Sequence, residues 1–285
     1  MDLSEFAEEV ADSGPVTIAG MSTRGGPVDG VRTVMAPAGI DWIKPEEMTV
    51  CCGAGTSVAD LDEALASVGQ RVAIAPSGTV GGALAVGESS IRRLGHGPIR
   101  DCLLQVRYIS AAGDVVRAGG PTVKNVSGFD LCRLLVGSYG TLGFLGDVIL
   151  RTNPRARFEQ WFQTSSNPTE LLGRLYKPVS VLTDGVDTWV LLEGDERDVQ
   201  ACASSLDLQA ADAPELPTGG RWSVDPSSIH SLGGTYIAEV GVGIVHHADP
   251  APPVTIDPVI AALTERIKTR FDPTGRLNPG VEVLR

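Results

Sequence analysis

The sequence has no long hydrophobic run, few basic residues and no signal-like start, and each shortage excludes a class of protein. No stretch approaches the roughly 20 apolar residues that a membrane-spanning helix needs. The acidic start MDLSEFAEE lacks the basic and apolar regions of a signal peptide, so a cytoplasmic location is expected. Lys and Arg number 23 against 35 Asp and Glu, and the formal net charge of -12 disfavours nucleic acid and anionic lipid as partners.

Cysteine and histidine are also scarce. The five cysteines are an odd number without C-x-x-C spacing, so neither a disulfide framework nor a thiolate metal site is indicated. They are expected to be small buried hydrophobic residues. Of the four histidines, the adjacent pair His246-His247 is the best candidate for acid-base chemistry, although two surface histidines at a strand end would give the same pattern. A third ligand at a recognisable spacing is missing, and no metal site is predicted.

The 285 residues, 42% of them hydrophobic and 20% charged, are enough for two domains with sizeable cores. Apolar periodicity and turn residues predict a mixed order of helices and strands, which indicates an α+β fold. In the first part, helices are predicted at 4–11 and 58–68, the latter capped by Thr56 or Ser57. Strands are predicted at 15–19, 31–36, 48–52, 72–74, 103–109, 114–118 and 144–151, with a hairpin turn at Ala112-Gly113.

A different region begins after Asn153-Pro154-Arg155. It combines predicted strands with two predicted helices, which suggests a small antiparallel sheet backed by helices. The predicted strands are 159–164, 179–183, 187–193 and 235–241, and the helices 168–176 and 195–206. An exposed loop is predicted at 209–220, a linker at 250–253 and a last helix at 257–270.

The segment from Pro121 to Pro154 joins a short amphipathic helix to a glycine-containing turn and a buried strand. Ser127 with Asp130 is predicted to form a capping box, and Gly137 stands where a helix ends. Gly140, Thr141 and Gly143 then leave backbone amides uncovered by large side chains. This arrangement permits the close approach of a large polar cofactor.

These residues resemble the flavin domain of the vanillyl-alcohol oxidase (PCMH) type, in particular the FAD-binding subunits of glycolate oxidases. The similar segments, in the family's order, are Gly20-Met-Ser-Thr-Arg-Gly-Gly26, Pro76-Ser-Gly-Thr-Val-Gly-Gly-Ala-Leu-Ala85 with Arg100-Asp101, Lys124-Asn125 with Gly128-Phe129-Asp130-Leu131, Gly137-Ser-Tyr-Gly-Thr-Leu-Gly143, and Phe271-Asp-Pro-Thr-Gly-Arg-Leu-Asn-Pro-Gly280. The joint pattern is far more specific than any single loop.

The resemblance implies a two-lobed FAD-binding domain with a small antiparallel cap. The expected domains are 1–155, with lobes 1–70 and 71–155, a reduced cap at 156–250, and a C-terminal helix and closing segment at 251–285. The first loop would hold the pyrophosphate, the second the flavin and the third the adenosine end. The implied FAD-binding residues are Gly20, Met21, Ser22, Thr23, Arg24, Pro76, Ser77, Gly78, Thr79, Gly81, Gly82, Arg100, Gly140, Thr141, Gly143, Val148 and Asn278. Residues 20–26 contain neither His nor Cys, so FAD is expected to be bound noncovalently.

One alternative cofactor site starts from Gly53-Ala-Gly55, because a strand followed by G-x-G and a helix is how a dinucleotide-binding unit begins. Val58 stands where the third glycine should be. The strand Arg71-Val-Ala-Ile-Ala75 also runs into Pro76-Ser77 without the acidic residue that holds a ribose. The glycines are therefore better explained as a turn between a strand and a helix.

Three functions remain open at this point. The resemblance implies a subunit that binds FAD and takes part in oxidising a small 2-hydroxy acid, together with a larger catalytic flavin subunit and an iron-sulfur subunit. A degenerate scaffold subunit without turnover is the second hypothesis. The third is an autonomous small FAD-dependent dehydrogenase, which would need His246 or His247 to face the flavin.

Overall fold

Short helices and strands alternate along the chain, as the pattern predicts. The computed structural model describes residues 1–121 and 130–283, so Lys124-Asn125, Ser127 and Gly128-Phe129 lie outside the described residues. The helices are α1 (Ser4–Ala11), α2 (Val58–Ala66), α3 (Val80–Val86), α4 (Arg93–His96), α5 (Leu131–Leu135), α6 (Pro168–Arg174), α7 (Glu196–Ser205) and α8 (Pro258–Phe271).

The strands are β1 (Val16–Ala19), β2 (Arg32–Met35), β3 (Ile40–Lys44), β4 (Thr49–Gly53), β5 (Gln70–Arg71), β6 (Leu103–Ile109), β7 (Val115–Gly119), β8 (Phe144–Arg151), β9 (Asn153–Pro154), β10 (Phe158–Thr164), β11 (Ser180–Thr183), β12 (Thr188–Gly194), β13 (Gln209–Ala211), β14 (Gly220–Ser223), β15 (Tyr236–Glu239) and β16 (Ile244–His247). The chain divides into two compact units. Unit 1 comprises 1–90, 98–154 and 254–285, and unit 2 comprises 91–97 and 155–253.

Unit 1 is built on a five-stranded antiparallel sheet in the order β3-β4-β8-β6-β7. Its central strand β8 is buried at every position except Arg151, which agrees with its nearly continuous apolar sequence. β4 and β8 come from either side of the lobe boundary expected at residues 70 and 71, yet they pair directly. The helices α2 and α3 cover this sheet through Leu61, Leu65 and Leu84.

A second cluster in unit 1 surrounds the parallel pair β1-β2. Phe6 and Val10 of α1 pack there with Val16 and Phe144. The closing segment lies beside β1, because the Val16 amide donates to the carbonyl of Arg276 and the Asn278 amide donates to the carbonyl of Val16, both at 2.9 Å. The two ends of unit 1 are thus joined at the strand that leads into the first glycine loop.

Unit 2 is a seven-stranded antiparallel sheet in the order β13-β10-β12-β11-β15-β16-β14. Leu171 of α6 and Val199 of α7 pack against its Phe162 and Val190. This confirms the predicted antiparallel α+β arrangement of the region. The loop predicted at 209–220 is shorter than expected, because its first three residues pair with β10 as β13.

Helix α3 was not predicted, because two glycines interrupt its apolar pattern. It forms because it is well capped: the Thr79 hydroxyl accepts from the Gly82 amide, and Gly87 ends the helix at φ 75°. Val80, Ala83 and Leu84 are then buried. The strand predicted at 72–74 is reduced to an isolated bridge between Ile74 and Ser89.

None of the helices within 1–121 and 130–283 has both the length and the hydropathy needed to cross a bilayer.

The cysteines are structural in this fold. Cys51, Cys52, Cys102 and Cys132 are buried, and Cys202 is partly exposed. Desolvation raises the pKa of Cys52 to about 12 and the pKa of each of the other three buried thiols to about 11. These four thiols are therefore neutral and unreactive near neutral pH.

We predict that a thiol reagent such as DTNB modifies only Cys202 rapidly in the native chain at pH 8. At a pKa of 11 or above, on the order of one in a thousand buried thiols or fewer is ionised at that pH, and each is also shielded by packing. The other four should react at the rate of unfolding and all at once in denaturant. Rapid modification of two or more thiols in the native chain contradicts this burial.

Candidate functional site

A cavity of about 550 Å³ lies in unit 1. Three glycine-containing segments and the closing segment line it, at 17–28, 79–86, 138–145 and 278–282, together with Ala36, Ala54 and Gly55. The segments that the sequence predicts for pyrophosphate, flavin and adenosine thus converge on one space. Its volume and its mixture of apolar and polar walls suit a large cofactor.

The first glycine loop begins where β1 ends and turns sharply back. Ser22 has φ 55° and Gly25 has φ 97°, and both values lie in the left-handed region. Residues 20–26 all line the cavity, where the Ser22 and Thr23 hydroxyls and the loop amides are available to an anionic group.

Arg24 is one of the implied FAD-binding residues of the first loop, and its side chain contacts other parts of unit 1. Its guanidinium bonds to the Glu88 carboxylate, to the Ser77 carbonyl at 2.6 Å and, more weakly, to the Ala75 carbonyl at 3.5 Å. The side chain is only 8% exposed. Its donors therefore serve the protein rather than the open part of the cavity.

Glycines in the cavity wall are required for two different reasons. A Cβ on Gly81 would lie 2.9 Å from both the Cβ and the carbonyl oxygen of Ala54, so the protein's own packing demands glycine there. A Cβ on Gly82 would meet only the Thr79 hydroxyl, at 3.0 Å, and a Cβ on Gly26 only the Ser22 hydroxyl, at 3.9 Å. Gly26 thus has open space beside it, whereas the close neighbour of Gly82 is the single side-chain hydroxyl that caps α3.

Bare backbone at Gly26 and Gly82 is what a bulky cofactor lying close to the main chain requires. The residues present therefore fit FAD, with the first loop beside one part of the cofactor and α3 beside another.

The turn at 137–143 forms a third wall. The Gly137 amide donates to the Leu84 carbonyl at 3.0 Å and the Tyr139 amide to the Ala85 carbonyl at 2.8 Å, so the turn is attached to the end of α3. A Cβ on Gly140 would lie 2.7 Å from the Asn278 side-chain nitrogen. The glycine therefore lets the closing segment approach this turn.

Asn278 connects the closing segment to both the first strand and this turn. Its Oδ1 accepts from the Thr17 hydroxyl at 2.9 Å and the Ile18 amide at 3.1 Å, and its Nδ2 donates to the Tyr139 carbonyl at 2.6 Å. Lys268 of α8 adds a second connection, because its ammonium donates to the Thr141 and Leu277 carbonyls and to buried Asp272. Both residues fix the shape of the cavity wall.

Most of the predicted FAD-binding residues reach this cavity. Those that line it are Gly20, Met21, Ser22, Thr23, Arg24, Thr79, Gly81, Gly82, Gly140, Gly143 and Asn278. Pro76, Ser77 and Gly78 immediately precede Thr79, the first residue of the second segment that lines the cavity. Thr141 is buried, and its hydroxyl donates to the Ser138 carbonyl. Val148 is fully buried in the core on β8. The Arg100 side chain is 56% exposed and lies near Asp101.

The sequence reading missed several wall residues, among them Thr17, Ala85 and Tyr139. Ala85 and Tyr139 lie inside segments that are similar to the family, and Thr17 lies on the strand before the first glycine loop. Tyr139 also has a left-handed φ of 52°, which its residue type does not announce.

The alternative dinucleotide site at Gly53-Ala54-Gly55 is wrong. β4 pairs antiparallel with both of its neighbours, whereas a dinucleotide-binding unit needs parallel strands. A Cβ on Gly53 would lie 2.2 Å from the Pro37 carbonyl oxygen, and one on Gly55 would lie 2.2 Å from that of Ala36. These glycines are required by close packing of the chain on itself.

The two candidate histidines differ in their surroundings within unit 2. His247 is 2% exposed and stacks on Trp222 at 3.9 Å; its Nδ1 accepts from the Asp249 amide, which leaves Nε2 to donate to the Gly233 carbonyl. Both ring nitrogens are thus used in the neutral form. His246 makes a single side-chain bond, from Nε2 to Glu239 at 3.0 Å.

Comparison with known families supports the FAD assignment. Residues 9–119 match the FAD binding domain family, and residues 221–281 match the C-terminal domain of FAD linked oxidases. The chain is 32% identical over 220 residues to glycolate oxidase subunit GlcE of Escherichia coli, covering 72% of this chain and 63% of that protein. It is 34% identical to a D-lactate dehydrogenase of Archaeoglobus fulgidus over 40% of this chain and 27% of that protein. The chain thus spans less than two thirds of the length of these relatives.

Solved structures share the fold at low sequence identity. An alkyldihydroxyacetonephosphate synthase aligns over 94% of this chain and 72% of its own, with a TM-score of 0.67 and 12% identity. Phl p 4, a grass pollen allergen with glucose dehydrogenase activity, aligns over 72% of this chain and 47% of its own, with a TM-score of 0.56 and 14% identity. The chain thus contains segments that match an FAD binding domain and the C-terminal domain of FAD linked oxidases, and it shares the fold of these two solved structures.

Proposed function

We propose that this chain is the FAD-binding subunit of an oxidoreductase complex that oxidises a small 2-hydroxy acid. The observation that carries the proposal is the cavity of unit 1, whose wall consists of main chain without side chains at Gly26 and Gly82. The substrate class follows from relatives named for glycolate and D-lactate.

Each segment of the wall has a role in this proposal. The amides and hydroxyls of residues 20–26 bind the diphosphate, the start of α3 supports the flavin, and the turn at 137–143 contacts the adenosine end. Asn278 and Lys268 hold these segments in place. When bound, FAD supplies the acceptor for the two electrons released by oxidation of a hydroxyl group.

FAD is proposed to be noncovalent. Among the described residues that line the cavity there is neither a histidine nor a cysteine to serve as a tether. The thiols of unit 1 are also buried and un-ionised near neutral pH, which suppresses the nucleophilic chemistry that a thioether link requires.

The partners are proposed to be a larger flavin-bearing catalytic subunit and an iron-sulfur subunit. Two relatives, from Escherichia coli and Bacillus subtilis, are named as different subunits of glycolate oxidase, which supports a multi-subunit oxidase. A cytoplasmic location accompanies this proposal.

Oxidation of a hydroxyl group also needs a proton acceptor. His246 is the better of the two histidines, because its ring is oriented by buried Glu239 and is not held at both nitrogens. His247 instead supports the end of β16. We therefore keep His246 as the candidate base for an autonomous dehydrogenase.

A scaffold subunit without turnover is a second candidate. The observation that favours it is that the described residues lining the cavity include a single cation, Arg24, and its guanidinium is committed to Glu88 and to two carbonyls. A hydroxy-acid site needs a free cation for the carboxylate in addition to a base.

The first prediction from this proposal is that Gly82→Ala weakens FAD binding, whereas Gly81→Ala lowers the free energy of unfolding. A methyl on Gly82 enters the cavity, and the expected rise in Kd is about 10- to 100-fold, the equivalent of overpacking by a methyl group. A methyl on Gly81 collides with Ala54 and should cost about 1–3 kcal/mol of stability. Fluorescence titration with FAD and urea unfolding of the FAD-free variants measure the two effects. Wild-type affinity in Gly82→Ala would show that α3 does not lie against the cofactor.

The second prediction concerns the attachment of FAD. Acid precipitation of the FAD-loaded chain should release all of the yellow colour into the supernatant, because no tether is formed. Heat denaturation should give the same result. Colour that stays with the protein pellet after both treatments contradicts noncovalent binding.

The third prediction is that the FAD-loaded chain alone turns over poorly and gains activity in the complex. A positioned base contributes on the order of 10²- to 10⁴-fold in rate, and the chain alone should lack most of this factor. The assay uses glycolate and lactate with an artificial acceptor. His246→Ala should leave this low rate unchanged, with His230→Ala as the matched control. Brisk turnover that His246→Ala abolishes would instead identify an autonomous dehydrogenase.

A further inference from the structure

Arg24 is the single cation among the described residues that line the cavity, and its guanidinium bonds to Glu88 and to two backbone carbonyls. An arginine in a pyrophosphate loop invites the interpretation that it pairs with a phosphate. Its surroundings argue for a different role.

The guanidinium joins three parts of unit 1. From the first glycine loop it reaches Glu88, which follows α3, and the carbonyls of Ala75 and Ser77, which precede α3. An isolated β-bridge joins Ile74 to Ser89. Residues 75–88 therefore form a loop that leaves this bridge and returns to it, with α3 at its centre, and this loop is called the excursion. Arg24 holds the base of that excursion against the first loop.

The sequence around the guanidinium is adapted to this position. Gly78 has φ 73°, and a Cβ there would lie 2.7 Å from Nη1 of Arg24 and 2.2 Å from the Thr23 hydroxyl. The space next to Gly78 is therefore filled by the first loop. Glu88 is 26% exposed and Arg24 8%, so the pair is partly withdrawn from water and its bonds are stronger than those of a surface pair.

We propose that Arg24 and Glu88 form a latch that preorganises two cofactor-binding segments, the loop 20–26 and the excursion 75–88, and that Arg24 is a positioning residue rather than a phosphate ligand. This inference rests on the proposed binding of FAD. Without the latch, both segments must be ordered when FAD binds, and that cost reduces the apparent affinity.

The two interpretations predict opposite signs for one substitution. If Arg24 pairs with the diphosphate, removing the nearby negative charge in Glu88→Gln frees the guanidinium, and FAD binds equally well or more tightly. If the latch positions the loops, Glu88→Gln breaks its charged bond, and FAD binds more weakly. Arg24→Gln weakens binding under both interpretations.

The experiment measures FAD binding to Arg24→Gln, Glu88→Gln and the double variant by fluorescence titration and stopped-flow mixing. The matched controls are Arg117→Gln and Glu63→Gln, two exposed residues of unit 1 outside the cavity. Unfolding midpoints of the FAD-free proteins show whether each variant is folded. Glu88→Gln retains an uncharged hydrogen-bonding side chain, so it keeps the test available if Arg24→Gln does not fold.

The latch predicts that each single variant raises Kd about 10- to 100-fold, the equivalent of a lost charged hydrogen bond. The Kd of the double variant for FAD should not exceed the higher of the two single-variant values, because both substitutions remove the same interaction. Most of the loss of affinity for FAD should come from a lower association rate, since fewer molecules are competent to bind.

An unchanged or lower Kd in Glu88→Gln would overturn the latch and assign Arg24 to the phosphate. Additive losses in the double variant, or losses found only in the dissociation rate, would also overturn it. Failure of the wild-type chain to bind FAD would remove the proposed function itself, and the wild-type titration distinguishes that failure from failure of the latch.

Discussion

The side-chain amide of Asn278 is the contact on which the arrangement of unit 1 most depends. It is 7% exposed, and it bonds to the Thr17 hydroxyl and Ile18 amide on β1 and to the Tyr139 carbonyl in the turn after α5. Through this one group the end of the chain fixes the strand that begins the first glycine loop and the turn that forms the third wall. A buried amide satisfied in this way specifies one arrangement, because any shift leaves polar groups unpaired.

Two features shape the cavity: contacts of this kind between its wall segments, and glycines that leave the main chain without side chains. Gly81 and Gly140 let segments of the protein approach each other, and Gly26 and Gly82 leave main chain without a side chain at the cavity wall. The first kind of glycine draws the walls together, whereas the second kind keeps the enclosed surface open. A site for a long, partly flat cofactor needs both properties, and the first glycine loop adds backbone amides and hydroxyls to the cavity wall.

Much of the fold could be predicted from the sequence, because the strongest patterns are local. Helix α1 begins and ends where its amphipathic pattern predicts, and the apolar run of β8 predicts a buried strand. The α+β class and the antiparallel character of the second region are confirmed. Helix α3 was missed because its stability comes from the Thr79 cap and from burial, whereas its glycines argue against a helix.

The details of the site depend on long-range contacts that a linear pattern does not contain. Gly81 and Gly82 are adjacent and identical in sequence, yet only the packing of Ala54 shows that they serve different purposes. Likewise, the contact between Arg24 and Glu88 joins residues 64 positions apart, which the sequence pattern alone does not reveal. The segments that the resemblance singled out line one cavity, and the structure was needed to separate the residues that shape the cavity from those that face it.

Titration of the purified, FAD-free chain with FAD tests the central claim most directly. The account predicts saturable quenching of flavin fluorescence with one FAD per chain, together with a structured visible absorption band that marks a flavin held in a defined environment. Absence of saturable binding by a chain that is folded and unfolds cooperatively would contradict the account, because the cavity would then be a vestige of the fold.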